Sequence, residues 1–148
     1  METGTVLRSF AIGATCGLRS MTGPAVVRWR ARDPARLAWA ALALGELVAD
    51  KLPSTPARTI PPALAFRALS GGFAGRSLAG SLDGERPAGT LAGAAGSVLA
   101  AYGGMALRAA VVRSTGLPDL LVALVEDVVA VGGAIAISRP RKPDAPPN

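Results

Sequence analysis

The chain contains no histidine and only one cysteine, Cys16. These absences exclude an intrachain disulfide framework and remove the usual zinc ligands and the usual general base of a catalytic triad. Ser20, Thr22 and Ser77 have no nearby base and no nucleophile-elbow motif. The sequence therefore predicts no enzyme activity, no metal site and no cofactor, and it predicts that Cys16 is a small packing residue.

Aromatic residues are also scarce, at 4%, although half of the 148 residues are hydrophobic and the mean hydropathy is +0.38. Alanine and glycine take the place of large side chains, and small residues let helices approach closely in lipid. The net charge of +6 comes mostly from arginines in short connections and tails, not from a basic helix with interleaved aromatics. The predicted partner is therefore the lipid bilayer, with no nucleic acid.

Five hydrophobic segments predict an all-α, polytopic membrane helical bundle. They cover about 6–27, 37–52, 63–82, 89–107 and 120–138. Together they predict one membrane-embedded domain over 1–138, followed by a disordered cytoplasmic tail over 139–148. The third segment is the weakest spanning candidate, because it contains Arg67 and Arg76.

The basic residues of the connections predict an orientation in the cell membrane. With five crossings, the first connection and the tail fall on the same side, and the positive-inside rule places that side in the cytoplasm. The N-terminus is then outside and the C-terminus cytoplasmic, provided that segment 63–82 crosses. The basic residues concerned are Arg28, Arg30, Arg32, Arg36, Arg139, Arg141 and Lys142.

Acidic residues interrupt two of the apolar segments, and an arginine precedes each acidic pair: Arg19 within the first segment and Arg108 just after the fourth. An ionised side chain within a membrane helix costs a few kcal/mol at least, so it usually faces a protein interior or an aqueous path. Three arrangements of these charges remain open: the arginines pair with the acids and fix helix register, the carboxylates share protons, or carboxylate and carbonyl oxygens hold a cation. A further alternative is that the arginines hold an anionic solute. The candidates are Arg19, Glu46, Asp50, Arg108, Glu126 and Asp127.

The same charges suggest a repeat of two helices. Arg19 precedes the first acidic pair and Arg108 precedes the second, and one crossing between the two hairpins would make them an inverted-topology pair. A rival alignment matches 17–23 with 75–80 through a shared Arg and Ser.

Glycines spaced four apart predict close-packing helix faces. These faces could pack within the chain or against a second copy in a homo-oligomer. The pairs are Gly13 and Gly17, Gly71 and Gly75, and Gly89 and Gly93.

Three blocks carry a resemblance to a known family: CGLRSMTGPA at 16–25, GELVADKLP at 45–53 and LVEDVVAVGGAIA at 124–136. With the proline-led third segment, they resemble the bacterial membrane proteins grouped as domain of unknown function 4126. The resemblance implies a compact multi-helix membrane protein and brings no established activity.

Two functional hypotheses follow from the charged segments. The first is a small transporter or channel for a proton, cation or small solute, with the acids lining a polar path and the arginines as counter-charges. The second is a membrane scaffold that transports nothing, in which the charge network holds the bundle together and the glycine faces bind a partner.

Overall fold

The computed structural model describes residues 3–50, 59–80 and 85–139, and 85% of these residues are helical. The described residues contain no strand, which confirms the predicted all-α class. The predicted tail lies outside this part of the chain, apart from Arg139. Six helices are present: α1 Thr3–Leu18, α2 Thr22–Arg30, α3 Arg36–Ala49, α4 Pro61–Leu78, α5 Arg86–Thr115 and α6 Asp119–Ile137.

The first predicted segment, 6–27, is not one crossing helix but a helical hairpin. Helix α1 ends at Leu18, and α2 runs back beside it, so that Gly23 lies against Cys16 and close to the carbonyl oxygen of Ile12. A continuous helix is disfavoured here because Pro24 has no N–H, and its ring would clash with the carbonyl of Ser20. After the turn Pro24 lies in the first turn of α2, where no intrahelical donor is required.

The predicted inverted two-helix repeat is wrong. That repeat requires the first helices of its two hairpins, α1 and α5, to run in opposite directions. They run in the same direction, because Gly13 lies beside Gly93 and Gly17 beside Ser97. Helix α4 is antiparallel to α1, which is the relation that the rival alignment of 17–23 with 75–80 requires.

The glycine faces are used inside the chain. On α1, α4 and α5, a Cβ at any of the six predicted positions would come within 2.6 Å or less of an atom on a neighbouring helix. All six predicted glycines, Gly13, Gly17, Gly71, Gly75, Gly89 and Gly93, therefore lie against other parts of the same chain, and the possible homo-oligomer stays a prediction. The prediction that they pack helices closely is confirmed.

Both ends of the described chain lie at the same end of the bundle. The Nη2 of Arg8, near the start of α1, donates to the carbonyl oxygens of Ile137 and Arg139, at 2.7 and 2.6 Å. We call this the basic end; it also includes the α2–α3 turn, the end of α4 and the start of α5. The prediction that the termini lie on opposite sides is wrong, because the α1–α2 hairpin enters and leaves at this end.

The pattern of burial is the reverse of that in a water-soluble protein, whose core consists mainly of large apolar side chains. The largest fully buried side chain is that of Arg19, and the other buried residues are mostly alanine, glycine, serine and threonine. Leucine and valine side chains on the outer faces of α3, α5 and α6 are exposed. Among the described residues, two helices, α5 and α6, are long and apolar enough to cross a membrane, so the five-segment bundle stays a prediction.

Candidate functional site

The centre of the bundle is the tip of the α1–α2 hairpin, residues 19–21, where the backbone leaves helical hydrogen bonding. Glu46 of α3 binds this tip. The N–H groups of Ser20 and Met21 donate to its Oε1 and Oε2, each at 2.7 Å. An anion at this position satisfies donors that have no partner within α2 and also complements the positive end of that helix.

Arg67 of α4 binds the other side of the break. Its Nη1 donates to the carbonyl oxygen of Gly17 at 3.0 Å and approaches that of Cys16 at 3.5 Å. Its Nη2 lies 4.0 Å from Oε1 of Glu46. A cation thus lies at the carbonyl end of α1 and an anion at the amide end of α2, the favourable placement at both.

Sequence reasoning missed Arg67 as a site residue and took it only as a reason to doubt its segment. The signal was available, since a buried arginine on an Ala- and Gly-rich helix meets the same criterion that selected Arg19. Arg67 is itself buried, and its backbone carbonyl accepts a 2.7 Å hydrogen bond from the Ser97 hydroxyl of α5.

Arg19 joins two carboxylates from different helices. Its Nη1 contacts Oδ2 of Asp50, at the end of α3, and its Nε and Nη2 face Oδ1 of Asp127, near the middle of α6. The Arg19 side chain is 1% exposed, while those of Asp50 and Asp127 are 16% and 13% exposed. The guanidinium is therefore enclosed, and each carboxylate keeps some access from outside.

Arg108 of α5 forms a second group with two acids of α6. Its Nε donates to Asp119 Oδ1 at 2.7 Å, and its Nη1 lies 3.5 Å from Oε2 of Glu126. Glu126 and Asp127 thus contact different arginines, as expected for adjacent residues about 100° apart on a helix. All six predicted charged residues belong to one of these groups or bind the hairpin tip.

The acids form a series from the end of the bundle opposite the basic end to its centre. Asp119 is 64% exposed at the start of α6, Glu126 lies two turns deeper, and Asp127 contacts Arg19. A cavity of about 400 Å³ lies between α5 and α6, with Arg108 and Glu126 among mainly leucine and valine side chains. On this side, therefore, acidic side chains occur from the exposed Asp119 to the centre, beside a cavity whose walls are mainly apolar.

Between the centre and the basic end, the buried side chains of α1 include two hydroxyls, and each is already hydrogen-bonded to a carbonyl oxygen. Ser9 donates to the Gly75 carbonyl at 3.1 Å, and Thr15 donates to that of Ile12 at 2.7 Å. This half of the interior is tightly packed through Gly13, Gly75 and Gly89. The two halves thus differ in chemistry, with carboxylates on one side and hydroxyls with glycines on the other.

Over residues 3–50, 59–80 and 85–139, no three acidic or thiol side chains converge in a manner that could hold a metal ion. Arg19 lies between Asp50 and Asp127 and separates their charges.

Comparisons of the chain with protein-family models, with curated proteins and with solved structures found no match.

Proposed function

We propose that the chain is a small multi-pass integral membrane protein that passes a proton or small cation through the centre formed by Arg19, Asp50 and Asp127. The membrane location is supported by the many exposed large apolar side chains on the outer helix faces, because large contiguous apolar patches are rare on soluble monomers. It is also supported by the length of α6, 19 residues or about 28 Å, which is close to the hydrocarbon thickness.

In the proposed topology, the chain crosses the membrane four times, once between the start of α3 and the start of α4 and then along α4, α5 and α6, and the α1–α2 hairpin is re-entrant. The basic end faces the cytoplasm, because most of the arginines in the described residues lie there. Both termini are then cytoplasmic. Irregular backbone at membrane depth is tolerated only where protein or water covers it, and Glu46 and Arg67 supply that cover at the tip.

One observation supports transport most directly: a single guanidinium is shared by two carboxylates at the depth where a helix is broken. The group of Arg19, Asp50 and Asp127 has an excess of one negative charge, which a proton or a small cation would neutralise. Discontinuous helices surround the ion sites of many transporters for the same physical reason, since the ends of half-helices provide fixed partial charges.

A proton fits this centre better than a multivalent cation. A divalent ion requires several oxygen ligands at once, whereas a proton needs one carboxylate and a route to it. The series from Asp119 through Glu126 to Asp127 provides that route from the non-cytoplasmic side. The proposed cycle exchanges a proton at Asp127 and Asp50, with Arg19 moving between the two carboxylates.

The test is Asp127→Asn in proteoliposomes that contain a pH-sensitive dye. Asparagine keeps the shape and can still accept a hydrogen bond from Arg19, but it cannot exchange a proton near neutral pH. We expect proton flux to fall at least about tenfold, a change of about 1.4 kcal/mol in the barrier. The matched control is Asp33→Asn, which removes a carboxylate from the α2–α3 turn and leaves the centre intact.

The proposal fails if the unaltered protein carries no flux of protons or alkali cations, or if Asp127→Asn carries normal flux. The thermal unfolding midpoint in detergent is measured on each variant, so that loss of flux through misfolding is recognised.

The alternative function is a membrane scaffold without transport. It is supported by the pairing itself, because Arg19, Arg67 and Arg108 each bridge separate helices or chain segments. Under this alternative the protein carries no flux, and Asp127→Asn lowers only the stability. A double-mutant cycle on Arg19 and Asp127 would then show a coupling free energy in unfolding.

A further inference from the structure

The basic end contains a cavity of about 430 Å³ in which all the charged lining residues are arginines. It is lined by Trp29, Arg30, Arg32, Arg36 and Ser138. The walls come from the end of α2, the start of α3 and the end of α6. Within residues 3–50, 59–80 and 85–139, no carboxylate contributes to this lining, whereas the arginines of the centre all face acids. The cavity is therefore a region of positive potential with hydrogen-bond donors on three sides.

Two of the three arginines, Arg30 and Arg36, are held by contacts that leave donors available. The Nη2 of Arg30 lies 3.4 Å from the carbonyl oxygen of Ile135. The guanidinium of Arg36 lies over the indole of Trp29, with 5.7 Å between its Cζ and the ring centroid. Contact with a ring face orients a guanidinium and leaves its N–H edge free for hydrogen bonds.

Arg32 occupies a backbone position that favours glycine. Its φ is +53°, in the left-handed region, where it closes the end of α2. The Arg32 N–H donates to the Trp29 carbonyl, and the next N–H, of Asp33, donates to that of Arg28, each at 3.1 Å. This pairing is a common helix ending in which glycine is the usual residue. An arginine here brings a guanidinium to the cavity at the expense of backbone strain, which points to a role for the side chain.

We propose that this cavity binds the phosphodiester headgroup of an anionic phospholipid in the cytoplasmic leaflet. Arginine matches phosphate oxygens with paired N–H donors, and basic pockets between membrane helices on the cytoplasmic side are suited to such headgroups. Trp29 is half exposed beside the arginines, as an indole at the membrane interface would be. The inference rests on the membrane location proposed above and is independent of transport.

The experiment measures binding to the purified full-length chain in detergent micelles. Phosphatidylglycerol, phosphatidylcholine, inorganic phosphate and a short RNA are titrated separately, and bound ligand is counted by native mass spectrometry. We expect saturable binding of phosphatidylglycerol, at least tenfold tighter than that of phosphatidylcholine. Equal affinity for the two lipids, binding of inorganic phosphate as tight as that of phosphatidylglycerol, or preferential binding of RNA would each overturn the proposal.

Arg32→Gly gives a signature that a structural role would not produce. Glycine relieves the left-handed strain, so the unfolding midpoint without lipid should stay the same or rise, while the affinity for phosphatidylglycerol should fall at least fivefold. Arg30→Gln should also weaken binding. The control Arg113→Gln removes an equal charge near the end of α5, away from the basic end, and should change neither quantity.

Unchanged lipid affinity in both Arg32→Gly and Arg30→Gln would overturn the proposal. Loss of flux in Asp127→Asn and loss of lipid binding in Arg32→Gly are separate readouts. A chain that binds phosphatidylglycerol without carrying flux contradicts only the proposed transport, and a chain that carries flux without this binding contradicts only the lipid site.

Discussion

Substitution of Glu46 should show most clearly whether its carboxylate caps the helix break at the hairpin tip or only forms a buried ion pair with Arg67. Its carboxylate accepts two backbone hydrogen bonds at the hairpin tip, from Ser20 and Met21, and lies 4.0 Å from the Arg67 guanidinium. Glu46→Ala removes both acceptors. Glu46→Gln keeps one carbonyl oxygen and places an amide donor in the other position.

The expected losses follow from these contacts. A hydrogen bond to a charged group contributes about 1.5–3 kcal/mol, so the two bonds together set a loss of about 3–6 kcal/mol for Glu46→Ala. Because Ser20 is buried, water does not readily replace the lost acceptor. Glu46→Gln should lose roughly half as much, since one N–H keeps a neutral acceptor. The predicted order of stability is therefore Glu, then Gln, then Ala.

The measurement is the free energy of unfolding in mixed micelles with increasing denaturing detergent, followed by the fluorescence of Trp29 and Trp39, the two tryptophans of the chain. The control is Asp119→Asn, which removes one partner of an exposed ion pair with Arg108 and should cost less than about 1 kcal/mol. If Glu46→Ala costs no more than this control, or if the Gln and Ala variants are equally stable, the capping argument is refuted.

Two further predictions concern packing and the carbonyl side of the break. Gly13→Ala should cost about 1–3 kcal/mol or more, because its methyl group would overlap the Gly93 carbonyl oxygen, whereas the control Gly132→Ala meets nothing within 4 Å and should be neutral or slightly stabilising. Arg67→Met should lower the free energy of unfolding by about 1–3 kcal/mol for each carbonyl left unpaired, and Arg67→Lys should recover part of that loss. Detergent unfolding measures both, and equal midpoints for Gly13→Ala and its control, or for the Met and Lys variants, would contradict them.

The helical class and the importance of the charged residues were predictable from sequence because both follow from local composition. A carboxylate such as Glu126 in an apolar helix carries a large cost wherever it lies, so its need for a partner does not depend on the fold. Which arginine becomes that partner does depend on the fold. The sequence left open which acids pair with which arginines, and the structure divides Arg19 between Asp50 and Asp127.

The hairpin was missed because hydropathy does not distinguish a segment that crosses from one that turns back. The local signal was Pro24, which disfavours a helix continuing through Ser20. The decisive interactions are tertiary, since the exposed amides and carbonyls of the turn are satisfied by Glu46 and Arg67 from later helices. Because the first segment turns back instead of crossing, the two ends of the described chain lie at the same end of the bundle, not at opposite ends as predicted.

The close packing of the helices and the charged centre depend on the same residues. Gly17 lies against the Ser97 backbone, so the end of α1 comes close to α5, and the carbonyl of Gly17 is where Arg67 donates. Ser97 in turn donates to the carbonyl of Arg67. Buried ion pairs alone often contribute little, because the desolvation of both partners offsets their attraction. It follows that the small residues position the charged groups, and that enlarging Gly17 should disrupt the contact of Arg67 without altering any charge.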